Sequence, residues 1–197
     1  RREAWACLGR DPGNVLISPQ HSPVAPMLSS QMAHLARLAR QPDALDAGEY
    51  AALLEERDPL RPPPGRGQEA PADITLRLAA LEGAVDADRG AVSRIRRAAG
   101  QYRRRLGLRE IRPDGDPARL IAAGFPDRIA QRRGEPGSFR LAGGGGARLA
   151  VSDKLAKAPL LAVASLEMKA GARIRMAAPL ALEDLPPALA ARVTEVV

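Results

Sequence analysis

The 197 residues carry a net charge of +7 and a pI of about 10.6, and 45% are hydrophobic but only 3% aromatic. That length holds one medium domain or two small ones, with a core built from Leu, Ala, Val and Ile. One cysteine, Cys7, excludes a disulfide framework or a cysteine zinc site within the chain, and no apolar run approaches the ~20 residues that span a bilayer.

No signal-peptide pattern is present, so a cytoplasmic protein with no membrane partner is expected. All thirty basic residues but Lys154, Lys157 and Lys169 are arginine, whose planar fork suits phosphate. The abundance of Ala, Gly and Pro makes codon bias the simpler source of that choice. The excess of positive charge still implies an acidic partner, most often nucleic acid. The chain begins with Arg1, which reads as a processed chain or a piece of a longer one.

"SPQHSPVAP" holds three prolines in nine residues and is no helix interior. "SSQMAHLARLAR" reads as a short helix with Ser30 as cap and Met32, Leu35 and Leu38 at helical spacing. In "DAGEYAALLEERDP", Asp46 and Glu49 have capping-box spacing, Leu53 and Leu54 form an apolar side, and Pro59 closes the helix. Residues 61–72, rich in Pro and Gly, read as a mobile loop. Asp73 then caps a helix with Ile74, Leu78 and Leu81 on one side.

The strongest helical pattern follows, with Val92, Ile95, Ala99, Tyr102 and Leu106 in one apolar stripe. Arg94, Arg96, Arg97, Arg103, Arg104 and Arg105 fill the other sides. They read either as a solvated face or as a basic helix along a phosphate backbone, because few acids stand near them in sequence. Asp116 and Pro117 open one more short helix, and Gly124 with Pro126 marks its end.

After residue 135 the period changes from helical to alternating. Phe139 and Leu141 face one way and Arg140 the other; four glycines turn the chain; Leu149 and Val151 face inward opposite Arg148. "PLLAVASLEM" reads as a buried strand, "ARIRMAA" sets Ile174 and Met176 against Arg173 and Arg175, and "LEDLPPALAARV" as a short acidic helix. Helices first and short antiparallel strands after predict an α+β chain of two subdomains.

Catalytic chemistry is sparse. Gly143–Gly146 lack the Lys-Ser/Thr of a phosphate loop and lie between strands, which predicts a hairpin turn. His21 and His34 have no partners at metal-ligand spacing, and Glu55, Glu56 and Asp58 read as solvated charges. On its own chemistry the chain does not read as an enzyme.

Four stretches carry a family resemblance. "AALLEERDPLR" (51–61), "DITLRLAALEG" (73–83), "FPDRIAQRRG" (125–134) and the ordered run "LAGGGGARL", "PLLAVASLE", "RIRMAAPL" together resemble the C-terminal half of HrpB-type ATP-dependent helicases, a bacterial branch of the DEAH-box superfamily. The resemblance implies a divergent winged-helix remnant over 1–42, a helical ratchet-like bundle over 43–124 with the loop at 61–72, and an antiparallel, truncated OB-like barrel over 125–197. The winged-helix segment lacks the family's Gly-Arg and later Pro-Arg. Phe125 and Pro126 would end the bundle and Asp127 to Arg133 would enter the barrel.

The RecA-like domains of the family, with its phosphate loop, DEAH box and arginine finger, have no counterpart here. ATP and Mg would therefore belong to a core outside this chain, and the chain would be an accessory region holding single-stranded RNA or DNA, weakly, against that RecA-like core. The residues expected to contact nucleic acid are Arg96, Arg97, Arg103, Arg104, Arg128, Arg132 and Arg133, with Arg173 and Arg175 as second-rank sites. Aromatics are scarce, with only Phe139 on a barrel strand, so contact would be electrostatic rather than stacked. A protein-interaction module and a non-functional gene fragment stand as alternatives.

Overall fold

Polar caps set the helix boundaries. The structure, a computed structural model, describes residues 47–62, 69–106, 116–168, 171–185 and 190. The elements expected on 1–46, including Cys7, both histidines, the Asp46 cap and the winged-helix remnant, lie outside them, and so does nearly all of the terminal helix past Leu185. Helix α1 (Ala47–Glu55) stops ahead of Pro59, as its sequence predicts. Helix α2 (Ile74–Glu82) starts where the Asp73 carboxylate accepts from the Thr75 N–H and ends at Gly83, in the left-handed region at φ 86°. Helix α3 (Arg89–Leu106) starts under the Asp88 carboxylate, which accepts from Ala91 N–H at 2.8 Å. Helix α4 (Pro117–Gly124) starts under Asp116, which accepts from Ala118 N–H at 2.8 Å.

The stripe on α3 is real. Ile95 and Ala99 are fully buried, Val92 and Tyr102 partly so, and they pack with Tyr50 and Leu53 of α1. Burying one Ile this completely contributes about 1.5–3 kcal/mol.

The strands are β1 (Ile129–Arg132), β2 (Ser138–Leu141), β3 (Gly146–Arg148), β4 (Leu160–Met168) and β5 (Ala172–Pro179). They form a closed barrel in the order β1-β2-β3-β5-β4. Two expectations are corrected here. The barrel is mixed rather than antiparallel, because β3 and β5 run parallel, with Ala147 beside Ala172 and Arg148 beside Arg173. It is also closed rather than incomplete, because β1 pairs with β2 on one side and β4 on the other. Closure removes the free edges on which other chains could pair.

Two apolar clusters hold the molecule. One fills the barrel with Ala130, Phe139, Leu141, Ala147, Leu161, Val163 and Ile174. The other lies between helices and barrel, where Ile74, Ile95, Ile121 and Phe125 meet Ile129, Ala162 and Met176. Strand β4 is buried on both faces, which explains its near-continuous apolar run. Ile174 and Met176, expected on one face, fall in different clusters. The cause is a shift in the β4–β5 register near Ser165, where the pairing passes from Val163–Ala177 to Ser165–Met176 and Leu166–Ile174. Val151, expected inward, is 70% exposed, because β3 ends at Arg148 and only Leu149 continues into the core.

Part of the expected mobile loop is fixed on the barrel. Residues 63–68 lie outside the described set, but Ala72 N–H donates to Asp153 Oδ2 at 2.8 Å and Ala72 carbonyl accepts from Ala177 N–H at 2.8 Å. Asp73 forms a parallel bridge with Ala177. Residues 69–73 therefore cross β5 as a strap before α2 begins. Among the described residues no helix is long and apolar enough to cross a membrane.

Candidate nucleic-acid interface

The α3 arginines do not stand alone. Acids on and just after α1, distant in sequence, reach them: Glu49 lies 2.9 Å from Arg103 Nη2, and Glu56 lies 3.6 Å from Arg94 Nε. Arg96 donates to the Leu81 carbonyl. The acids expected to be solvated are thus partners: Glu55 accepts from the Tyr102 hydroxyl, and Asp58 pairs with Arg77 at 2.6 Å. Arg97 and Arg104 are exposed and have no ion pair among the described residues. Seven residues apart, they lie on one side of the helix.

The joint divides its arginines. Arg128, on a 3-10 turn at Pro126–Arg128, is 8% exposed. Its guanidinium stacks 4.5 Å from the Phe125 ring centroid, and Nη1 donates to the Ala164 carbonyl at 3.2 Å. Burial pushes its pKa below the ordinary arginine value, opposed by the nearby Asp127 charge. This side chain ties the joint to β4. Arg132 and Arg133 are exposed where β1 runs into its connection to β2. The Arg132 guanidinium makes a long 3.5 Å contact with the Gly134 carbonyl, and neither side chain has an ion pair among the described residues.

On the barrel the alternation of β2 and β3 turns two further arginines outward, Arg140 and Arg148. Neither has an ion pair among the described residues, and neither was among the expected contacts. The signal was present, since Arg140 alternates with Phe139 and Leu141 and Arg148 with Ala147 and Leu149. The parallel register sets Arg148 beside Arg173. Arg173 and Arg175 are both claimed by Glu69, at 2.9 Å each, and Arg175 also lies 3.8 Å from Glu167. Glu69, Arg148, Glu167 and Arg173 border an open groove of about 660 Å³, with Leu149 and Val151 on its apolar side. Phe139 is 2% exposed in the barrel interior, so it offers no base a stacking surface.

Gly143–Gly145 lie in the β2–β3 connection and Gly146 opens β3, with Gly144 and Gly145 at φ 98° and 81°, as the hairpin reading expects. Among the described residues no cluster of three or more His, Cys, Asp or Glu could hold a metal ion.

No protein-family model matches the chain, and no curated protein matches it. Two crystal structures are similar. One is the E. coli DExH-box NTPase HrpB, with 26% identity and a TM-score of 0.58 over 92% of this chain and 21% of that one. The other is the Escherichia coli DEAH/RHA helicase HrpB, with 25% identity and a TM-score of 0.59 over 93% of this chain and 22% of that one. In sequence and in fold the chain is similar to part of the HrpB helicases, and it spans about a fifth of their length.

Proposed function

We propose that the chain is a C-terminal accessory region of an HrpB-like ATP-dependent helicase, and that it holds single-stranded nucleic acid for an ATPase core outside these residues. In this reading ATP and Mg act in that core, and helices α1–α4 take the part of the family's ratchet-like bundle. The barrel takes the part of an oligonucleotide-binding (OB) barrel. A five-stranded closed barrel with a parallel β3–β5 contact supports that assignment. Such barrels bind oligonucleotides on strands 2 and 3 and on the loops beside them.

The observation that carries the reading is that, among the described residues, four arginines without ion pairs fall together on the barrel. Arg140 and Arg148 lie outward on β2 and β3, and Arg132 and Arg133 lie at the start of the β1–β2 connection. With no exposed aromatic on that face among the described residues, phosphate contact would dominate, giving weak binding with little sequence preference. Fluorescence anisotropy of a labelled uridine oligomer at several salt concentrations tests it. Binding at low salt that falls steadily as salt rises is expected. No binding even at the lowest salt would remove the reading and favour a protein partner on the groove, which the 70% exposed Val151 at its rim would suit.

A further inference from the structure

We propose that Glu69 is a built-in anionic competitor on the barrel, holding the two guanidinium groups that a bound phosphate would otherwise take. The proposal rests on the nucleic-acid reading above and concerns how tightly that face binds.

One Glu69 oxygen lies 2.9 Å from Arg173 Nη2 and the other 2.9 Å from Arg175 Nη1. A single negative group thus bridges two arginines at alternate positions of β5, as a phosphate with two free oxygens would. An ordinary exposed ion pair is weak because both long side chains must be ordered to make it. Here the backbone two and three residues after the carboxylate is already fixed. Ala72 is held by Asp153 and Ala177, and the Pro71 carbonyl accepts from Arg77, which is itself 1% exposed.

The local charge balance completes the argument. Arg148 stands beside Arg173 across the parallel strands, where like charges repel unless an anion lies between or near them. Glu69 and Glu167 offset Arg173 and Arg175, leaving Arg148 as the unclaimed cation at the groove. An incoming strand therefore meets one available guanidinium there instead of three. It gains the other two only by displacing Glu69.

The test compares the 197-residue chain with its Glu69→Gln and Glu69→Ala variants, by anisotropy of a uridine oligomer across a salt series. Both variants are expected to bind about tenfold more tightly at low salt. Their plots of log affinity against log salt should steepen by about 1.4, which is 0.7 for each of two restored phosphate contacts on a single strand. Replacing Arg173 and Arg175 by alanine should abolish that gain in the Glu69→Gln background and change little in the wild type. Glu82→Gln, the same charge change at an exposed position on α2, should leave the slope unchanged. A gain from Glu82→Gln equal to that from Glu69→Gln would overturn the proposal, leaving only a bulk charge effect. If the wild type binds, loses affinity with Arg140→Ala and Arg148→Ala, and matches Glu69→Gln, the competitor is refuted while the function stands. If no variant binds at the lowest salt, both fall together.

Discussion

Arg77 of α2 donates to Asp58 Oδ2 at 2.6 Å, tying the segment after α1 to the strap that leads into α2. The arginine is 1% exposed and also donates to the Asp73 carbonyl at 2.9 Å, while its Nε has no partner. A cation so buried depends on its one acidic partner, although that partner's side chain is 35% exposed. Asp58→Ala is expected to cost about 1.5–3 kcal/mol in urea denaturation. Glu82→Ala, on the exposed side of α2, should stay within about 0.5 kcal/mol of wild type. Equal midpoints for the two variants would show that the Arg77 pair contributes nothing.

Arg128 presents the opposite balance. Its guanidinium has one protein hydrogen bond and the face of Phe125, and its buried Nε is unpaired. The cost of burying the charge offsets most of what those contacts contribute, so Arg128→Met should stay within about 1 kcal/mol of wild type. Phe125→Ala should cost about 3–5 kcal/mol, because it empties the junction between helices and barrel. Thermal melts of both variants check this, and a large loss for Arg128→Met would mean the cation itself holds the joint.

Gly137 has φ 80°, and a Cβ there would lie 2.4 Å from the Leu149 carbonyl oxygen. Its own carbonyl accepts from Leu149 N–H at 2.9 Å, so the two backbones cannot separate without losing a bond between the β1–β2 connection and the end of β3. Gly137→Ala should cost at least about 1–2 kcal/mol from the left-handed backbone alone, before the clash. Gly134→Ala, also at positive φ but with nothing within 4 Å, isolates the backbone part, and the difference between the two melting curves measures the clash.

The cap of α3 should respond to acid. Asp88 has its pKa lowered first by the Ala91 N–H; burial opposes this as the next effect, and the Gly90 N–H and the charges of Arg57 and Arg61 add to the lowering. A carboxyl with a lower pKa when folded adds stability above its unfolded value, ~3.9, and that contribution is lost as pH falls through the folded value. Hydrogen exchange at Ala91 and Val92, corrected for intrinsic rate, should therefore quicken below about pH 4. Asp88→Asn keeps a capping oxygen without the charge and should flatten this dependence. An unchanged profile in Asp88→Asn would place the acid sensitivity elsewhere.

Local signals were legible where one residue type decides the backbone. Asp73, Asp116 and Pro117 marked helix starts, Gly124 marked an end, and Phe139 with Leu141 marked a strand by alternation alone. Strand β1 gave no such signal, because Ile129–Arg132 pairs two apolar residues with two exposed polar ones and has no alternation. Long-range pairing was hidden for a different reason. Nothing near Arg148 in sequence says that Arg173 will lie beside it, and nothing near Arg103 says that Glu49, 54 residues away, will neutralise it. Counting arginines on one helix therefore overstated its free charge. It also passed over Arg140 and Arg148, which strand alternation turns outward.

The central claim is that arginines on β2, β3 and the β1–β2 connection bind single-stranded nucleic acid. The most direct measurement is the salt slope of uridine-oligomer affinity for the chain against its Arg132→Ala, Arg133→Ala, Arg140→Ala, Arg148→Ala variant. Each lost phosphate contact should reduce the slope by about 0.7, so the variant should flatten by up to about 2.8 and bind more weakly to every sequence tried. Equal slopes and affinities for the two proteins, with both still folded, would contradict the claim.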